Sequence, residues 1–462
     1  MIKKKKINLL ELIKNRFIKS GTSRSRGIKK NILGLLGLKG LDVGIGYLRF
    51  PLTLRFLGNE LHGVWLTIGG IINWFGLFNI GLGTGLRNKL AETLARKDYE
   101  LARIYVSSTY AIISIISFLV FLVLTLSVFV LDWPSILAVS ESYQGMLTIT
   151  LLIVFAFFSV RFVFKLVQTI LVADQRPALS QLIKSSASVL FFVGIWLALK
   201  YRFMYGDLVV LGILSGGTVV FTQFVASLVL FSGRYKYIRP SIKYVNWRKF
   251  RSLASVGIQF FIVQISVIIM FSTDNLIITQ ISGPSDVVPY NAARKYFGIM
   301  EMLFLIVLEP FWSAFTQAYV KKEYQWIRKT IRHLVGFWGL AVFGSLIMLA
   351  ISDWVYNIWV GDMVKIPFQL SAMMMVFFLI KSWNNVFVYL INGVEKIRLQ
   401  LYMSLVISVI NIPLSVYFAK YLEMGSVGVI LGTIVCLLFG AVLHPLQYKK
   451  IINGTARGVW DQ

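Results

Sequence analysis

Long apolar runs, broken at intervals by short polar stretches, dominate the chain. A bilayer core of ~30 Å is crossed by about 20 predominantly apolar residues in a helix. Twelve such runs can be marked, approximately at 33–57, 62–84, 105–131, 146–172, 180–199, 208–232, 253–281, 287–315, 333–352, 367–391, 399–419 and 426–447. The pattern predicts an all-α polytopic membrane protein of about twelve transmembrane helices, with both termini on one side. Composition agrees: 57% of the 462 residues are hydrophobic and 15% are charged, where a soluble globular chain carries roughly 25% charged residues. The N-terminal basic arm leads into a span of full length, which argues against a cleaved signal peptide. One cysteine, Cys436, and three scattered histidines, His62, His333 and His444, leave little for disulfide, metal-cluster or Ser–His–Asp chemistry.

Charge sets the sidedness. Of the 47 Lys and Arg, 35 fall in the terminal arms and alternate loops of one side, four on the other, and eight within spans. Basic residues collect in short cytoplasmic loops, so both termini are expected in the cytoplasm. The formal net charge of +27 is thus a consequence of topology rather than of nucleic-acid binding. Residues 1–31 begin with Lys3-Lys4-Lys5-Lys6 and place Ile7, Leu10, Ile13, Phe17 and Ile18 on one face, as in a basic amphipathic helix lying on anionic lipid, or a plain topology anchor.

The chain also repeats itself. At a shift of 225, Lys97, Asp98, Tyr99 and Arg103 fall on Lys322, Glu323, Tyr324 and Arg328, and Gly58 falls on Gly283. At 221, Asp132-Trp133 falls on Asp353-Trp354, and at 220, the turn 174–176 lies near 394–396. Matching loops in matching order predict two pseudo-symmetric six-helix lobes of the same orientation, 32–232 and 253–462, joined by a basic cytoplasmic linker at 233–252.

Phe56-Leu57-Gly58-Asn59-Glu60-Leu61-His62-Gly63 ahead of the second span, the basic connector 85–104, and Phe271-Ser272-Thr273-Asp274-Asn275 in the seventh resemble polysaccharide exporters. Together they are similar to the O-antigen flippase (Wzx-like) branch of the multidrug/oligosaccharidyl-lipid/polysaccharide (MOP) exporter superfamily, whose fold is MATE-like. The resemblance implies a bacterial inner-membrane flippase that moves undecaprenyl-pyrophosphate-linked oligosaccharide outward by alternating access, with polysaccharide polymerase and glycosyltransferase partners. It implies no cofactor; a coupling H+ or Na+ stays open. An ion-coupled multidrug antiporter of the same fold is the first alternative. A membrane glycosyltransferase or polymerase is the second, and usually needs a larger external loop than about 132–145 or 353–366.

Ionisable groups inside spans carry the mechanism, because each costs several kcal/mol unless it serves a pathway or a partner. Basic ones are Lys39, Arg49, Arg55, Arg161, Lys165, Arg294, Lys295 and Lys381; acidic ones are Asp42, Asp274, Glu301 and Glu309. The cationic excess suits an anionic cargo better than cationic drugs. The repeat sets Arg161 on Lys381 at a shift of 220, so each fourth helix carries a mid-membrane cation able to hold a diphosphate, arginine as a fork and lysine as a point charge. Lys165 and Gln168 extend that stripe on one helix and Asn385 on the other, and Arg294 joins the candidate substrate set. At 225 Arg49 falls on Asp274, a candidate gate or a permanent ion pair. Lys39, Asp42, Gly46 and Arg49 share a face of the first helix. Glu301, a candidate proton carrier with Asp42, stands two turns from Arg294, which it is equally placed to neutralise.

Overall fold

The computed structural model describes residues 23–75, 80–174, 176–201, 207–246, 273–308, 311–394 and 396–461. Most of the N-terminal arm, most of the seventh span, Glu309 and the linker from residue 247 lie outside them. Helix makes up 88% of the structure, and no strand occurs among the described residues. The α-helices are α1 (Ser23–Phe75), α2 (Ile80–Ala95), α3 (Tyr99–Val130), α4 (Trp133–Ile136), α5 (Gln144–Phe164), α6 (Leu166–Ala173), α7 (Pro177–Lys200) and α8 (Leu208–Ser232) in the first half. The second half holds α9 (Asp274–Ser282), α10 (Val287–Leu308), α11 (Phe311–Val320), α12 (Tyr324–Ala350), α13 (Ser352–Trp359), α14 (Phe368–Gly393), α15 (Arg398–Val416) and α16 (Gly425–Ile452).

Eight helical segments among the described residues are long and apolar enough to cross a membrane. The first two expected spans share α1, which breaks at Gly58 (φ 77°, ψ 176°), a left-handed conformation open to glycine. Lipid-facing surface is plain on α3, where Phe129 is 70% and Val130 78% exposed. Apolar surface on that scale is tolerated only against hydrocarbon or a partner.

Helix starts follow from sequence. Asp98 caps α3 by accepting from the Leu101 N–H at 3.0 Å, and Asp207 caps α8 through Val209 at 2.7 Å. Pro177 opens α7 at its first turn. The repeat is written into the backbone. Lys97 and Lys322, 225 apart, have φ of 60° and 59°, and Gly58 and Gly283 have 77° and 90°. The Asp98 and Glu323 N–H groups reach back five residues to Thr93 and Ala318, and those of Arg176 and Lys396 to Leu171 and Ile391.

The described residues form two compact units, one falling within 1–56, 78–131 and 146–259, the other within 57–77, 132–145 and 260–462. Two segments of the first half, 57–77 and 132–145, therefore pack within the second unit, an arrangement that a linear division between 232 and 253 does not foresee. In the first unit the described part of the linker is folded down. The Ser241 and Asn246 N–H groups donate to the Ser107 and Ser108 hydroxyls, and the Arg103 guanidinium lies over Tyr244 at 4.1 Å. Asp174 accepts from the Tyr235 hydroxyl at 2.7 Å and pairs with Arg176 and Arg234. Burial and this bond to a carboxylate push the Tyr235 phenol above its ordinary range. The second unit is centred on Phe304, Phe315, Ile331, Leu334, Val386 and Leu390.

Candidate functional site

In the first unit α5 ends at Phe164 and α6 starts at Leu166, with Lys165 at the join. There the Gln168 N–H turns back to the Lys165 carbonyl at 3.0 Å, a three-residue step that tightens the helix. Phe158, Phe162, Leu166 and Val167 bury one face. Arg161 is exposed and Lys165 partly so on the other. Gln168, expected to extend this stripe, is instead 5% exposed, and its Nε2 has no hydrogen-bond partner. A third cation joins the two: Lys184 of α7 acts electrostatically on Lys165, as Arg161 does. Among the described residues, no carboxylate stands within ion-pair distance of Arg161, Lys165 or Lys184. Sequence reasoning counted Lys184 as a loop charge. Its signal was Pro177, which starts a helix seven residues earlier and so places Lys184 two turns inside it.

Asp42 is tied to α7. Gln181 Nε2 donates to its Oδ2, Ser185 donates to the Leu38 carbonyl at 3.3 Å, and Asp42 Oδ1 has no partner. Arg49 feels the Asp42 charge and lies over the Phe191 ring at 5.1 Å.

The second unit treats its cations differently. Lys381 of α14 pairs with Glu301 of α10 at 2.9 Å, with side-chain exposures of 27% and 13%. Arg294 approaches Asp274 at 3.8 Å, and the Tyr290 hydroxyl donates to the same Asp274 oxygen at 2.6 Å. The partners seen here differ from the one expected for Glu301 along its own helix. Glu301 neutralises Lys381 rather than Arg294, because seven residues along one helix separate two groups by about 10 Å, whereas Lys381 reaches across from a neighbouring helix. Asp274, aligned by the repeat with Arg49, is engaged by Arg294 and Tyr290 of the helix that follows it. The asymmetry has a sequence origin: at a shift of 225, Arg294 and Glu301 fall on Gly69 and Gly76, so the first half lacks the counterpart of Glu301.

A Glu301→Ala chain is expected to lose about 3 kcal/mol, the low end for stranding one member of a buried pair. Adding Lys381→Ala should restore most of it, read as the unfolding midpoint in detergent.

Segment 57–77 is held within the second unit by specific contacts. The Thr67 and Thr279 hydroxyls meet at 2.8 Å, fully buried, and the Asn275 amide donates to the Leu66 carbonyl at 3.1 Å. A Cβ on Gly63 would stand 1.7 Å from the Pro284 carbonyl oxygen. Gln280 donates to the Ser135 and Ile136 carbonyls at 2.9 and 2.6 Å.

The profile of the polysaccharide biosynthesis protein family matches residues 28–313. The chain belongs to that family. The relatives it matches are named for O-antigen transport and export. A Salmonella typhi protein named for O-antigen transport is 23% identical over 398 residues, covering 85% of this chain and 88% of its own. A Yersinia pseudotuberculosis protein named for O-antigen export is 21% identical over 434 residues, covering 90% and 94%. Among solved structures, an inward-facing multidrug-resistance MATE transporter of the MOP superfamily superposes with a TM-score of 0.71 at 14% identity, covering 97% of this chain and 99% of that one. A Pyrococcus furiosus MOP transporter, described as having a binding pocket of reverse polarity, gives 0.61 at 15% identity, covering 92% and 96%. This polysaccharide biosynthesis protein thus has a MATE-like fold and is a multi-pass membrane protein.

Proposed function

We propose that the protein is a flippase for polyprenyl-pyrophosphate-linked oligosaccharide, carrying a surface-polysaccharide repeat unit from the inner to the outer leaflet of the bacterial inner membrane by alternating access, both termini being cytoplasmic. The observation that carries this reading is the set of three cations, Arg161, Lys165 and Lys184, with no carboxylate in ion-pair reach among the described residues. Like charges held together in a low-dielectric setting repel strongly, and an anionic ligand is the direct way to offset them. A diphosphate matches Arg161 as a fork and the two lysines as point charges. Lys381 and Arg294, already balanced by Glu301 and Asp274, are assigned to holding the second half in shape and contacting cargo through their remaining donors. The polyprenyl tail stays in lipid while the headgroup crosses. An inside-negative potential assists outward movement of each negative charge by about 2.3 kcal/mol per 100 mV.

The direct test is transfer of a fluorescent pyrophosphate-linked oligosaccharide across proteoliposome membranes. Transfer of the glycan-bearing lipid, competed by inorganic pyrophosphate, is the expected outcome. Protein-independent transfer, or export of lipophilic cationic drugs instead, would reject the reading.

A further inference from the structure

We propose that His444 is a proton-binding site of the second unit, and that its occupancy loosens the contact between α14 and α16. His444 lies on α16, 7% exposed, and neither ring nitrogen has a hydrogen-bond partner. Its neighbour across the helix contact is Asn384 of α14, 6% exposed, whose Nδ2 donates to the Leu437 carbonyl at 3.0 Å while Oδ1 is unpartnered. Gly440 makes room for both. A Cβ there would stand 3.0 Å from His444 Cε1 and 3.2 Å from His444 Nδ1 and from Asn384 Nδ2. A neutral imidazole always carries one N–H donor, and a buried donor without an acceptor costs about 1–3 kcal/mol. Two adjacent, half-satisfied polar side chains are a poor way to fill a helix contact, which is why such groups point to a function.

The repeat sharpens the point. At a shift of 221, Gln223 of α8 falls on His444, and Gly233, beyond the end of α8, falls on Gly454, beyond the end of α16. Gln223 is also buried, 3% exposed, with an unpartnered Oε1. Both halves therefore keep a buried polar group at this level of the sixth helix, but only the second half has one that takes up a proton.

The charged and titratable groups on the elements packed against α16 are accounted for. Lys381 on α14 pairs with Glu301 while Tyr389 of that helix packs on Trp312, Asp274 on α9 pairs with Arg294, and Asp461 of the C-terminal turn with Lys396. On α15 these groups are Arg398 and Tyr402, and in the turn after it Tyr417, Lys420 and Tyr421. On α16 itself they are Cys436, Tyr448, Lys449 and Lys450, the last lying over Trp460 at 3.8 Å. None is within ion-pair or hydrogen-bond distance of the His444 ring. An imidazolium between closed helices has no counter-ion, whereas parting α14 from α16 admits water, so the proton and the parted state favour each other. Lys381 lies three residues before Asn384, which puts the Lys381–Glu301 pair on the helix that moves.

The test needs no cargo, so its failure is separate from failure of the flippase reading. The full chain in lipid nanodiscs is labelled on its three histidines and followed by NMR as pH is varied. One imidazole signal is expected to shift on acidification and to vanish in H444Q, which copies the residue of the first half and should fold; His444→Asn serves if it does not. Amide exchange in α14 and α16, corrected for intrinsic rate, should rise about fivefold on acidification in the native chain and stay flat in the variant. A His444 signal that does not move on acidification overturns the proposal, as does exchange that responds equally in both chains.

Discussion

Replacing Arg161 and Lys165 together by alanine is expected to abolish glycan-lipid transfer while leaving the fold as stable as before or more so. Each charged hydrogen bond to a phosphate contributes about 1.5–3 kcal/mol, so removing two should cost about 4 kcal/mol, roughly 1,000-fold in affinity. Stability should move the other way, because among the described residues neither side chain has an acid within ion-pair reach and the substitution relieves like-charge repulsion with Lys184. Lys381→Ala is the contrast. It strands Glu301, so its activity should fall together with its unfolding midpoint. Lipid transfer in proteoliposomes and thermal unfolding of the same preparations separate the two patterns. Equal loss of stability in both variants would place the triad in the scaffold rather than at the cargo.

The second large effect is expected at the contact of segment 57–77 with α9 and α10. Under the proposed alternating access, outward opening is expected to part Thr67 from Thr279 and Gly63 from Pro284. Gly63→Val puts side-chain atoms where the Pro284 carbonyl already is, 1.7 Å from the Cβ position. Backbone cannot give way by that much, so the closed arrangement should be lost and transfer should fall to background. A Thr279→Cys reporter, in a chain whose one native cysteine, Cys436, is replaced by serine, should become open to membrane-impermeant thiol reagents. Conversely, Thr67→Cys with Thr279→Cys should cross-link under mild oxidation, stop transfer, and recover on reduction. Transfer undiminished in the cross-linked chain would show that this contact does not open.

Much of this protein is written in the linear chain, for identifiable reasons. Helices that face lipid must satisfy their backbone internally and show apolar side chains outward, so spans such as 105–131 and 208–232 are legible from hydropathy. The repeat was equally legible, because Lys97 and Lys322, or Gly58 and Gly283, occupy the same backbone conformation and only certain residues tolerate it. Arg161 and Lys165 stood out as charges deep in an apolar run. Lys184 did not, since a lysine seven residues past a helix start reads like the basic loop beside it. Thr67, Thr279 and Asn384 carry no signal, because small polar side chains are common in membrane helices and only their neighbours give them meaning.

Sequence by itself determined the all-helical membrane fold, the duplication and the cationic excess, since these depend on local periodicity, residue-by-residue hydration and simple counting. Tertiary structure alone decided which of the described cations stand in ion pairs. Here the ion pair forms between helices rather than along one: Glu301 meets Lys381, eighty positions away, instead of Arg294 on its own helix. Coulomb attraction depends on distance through space, and that distance is set by helix packing.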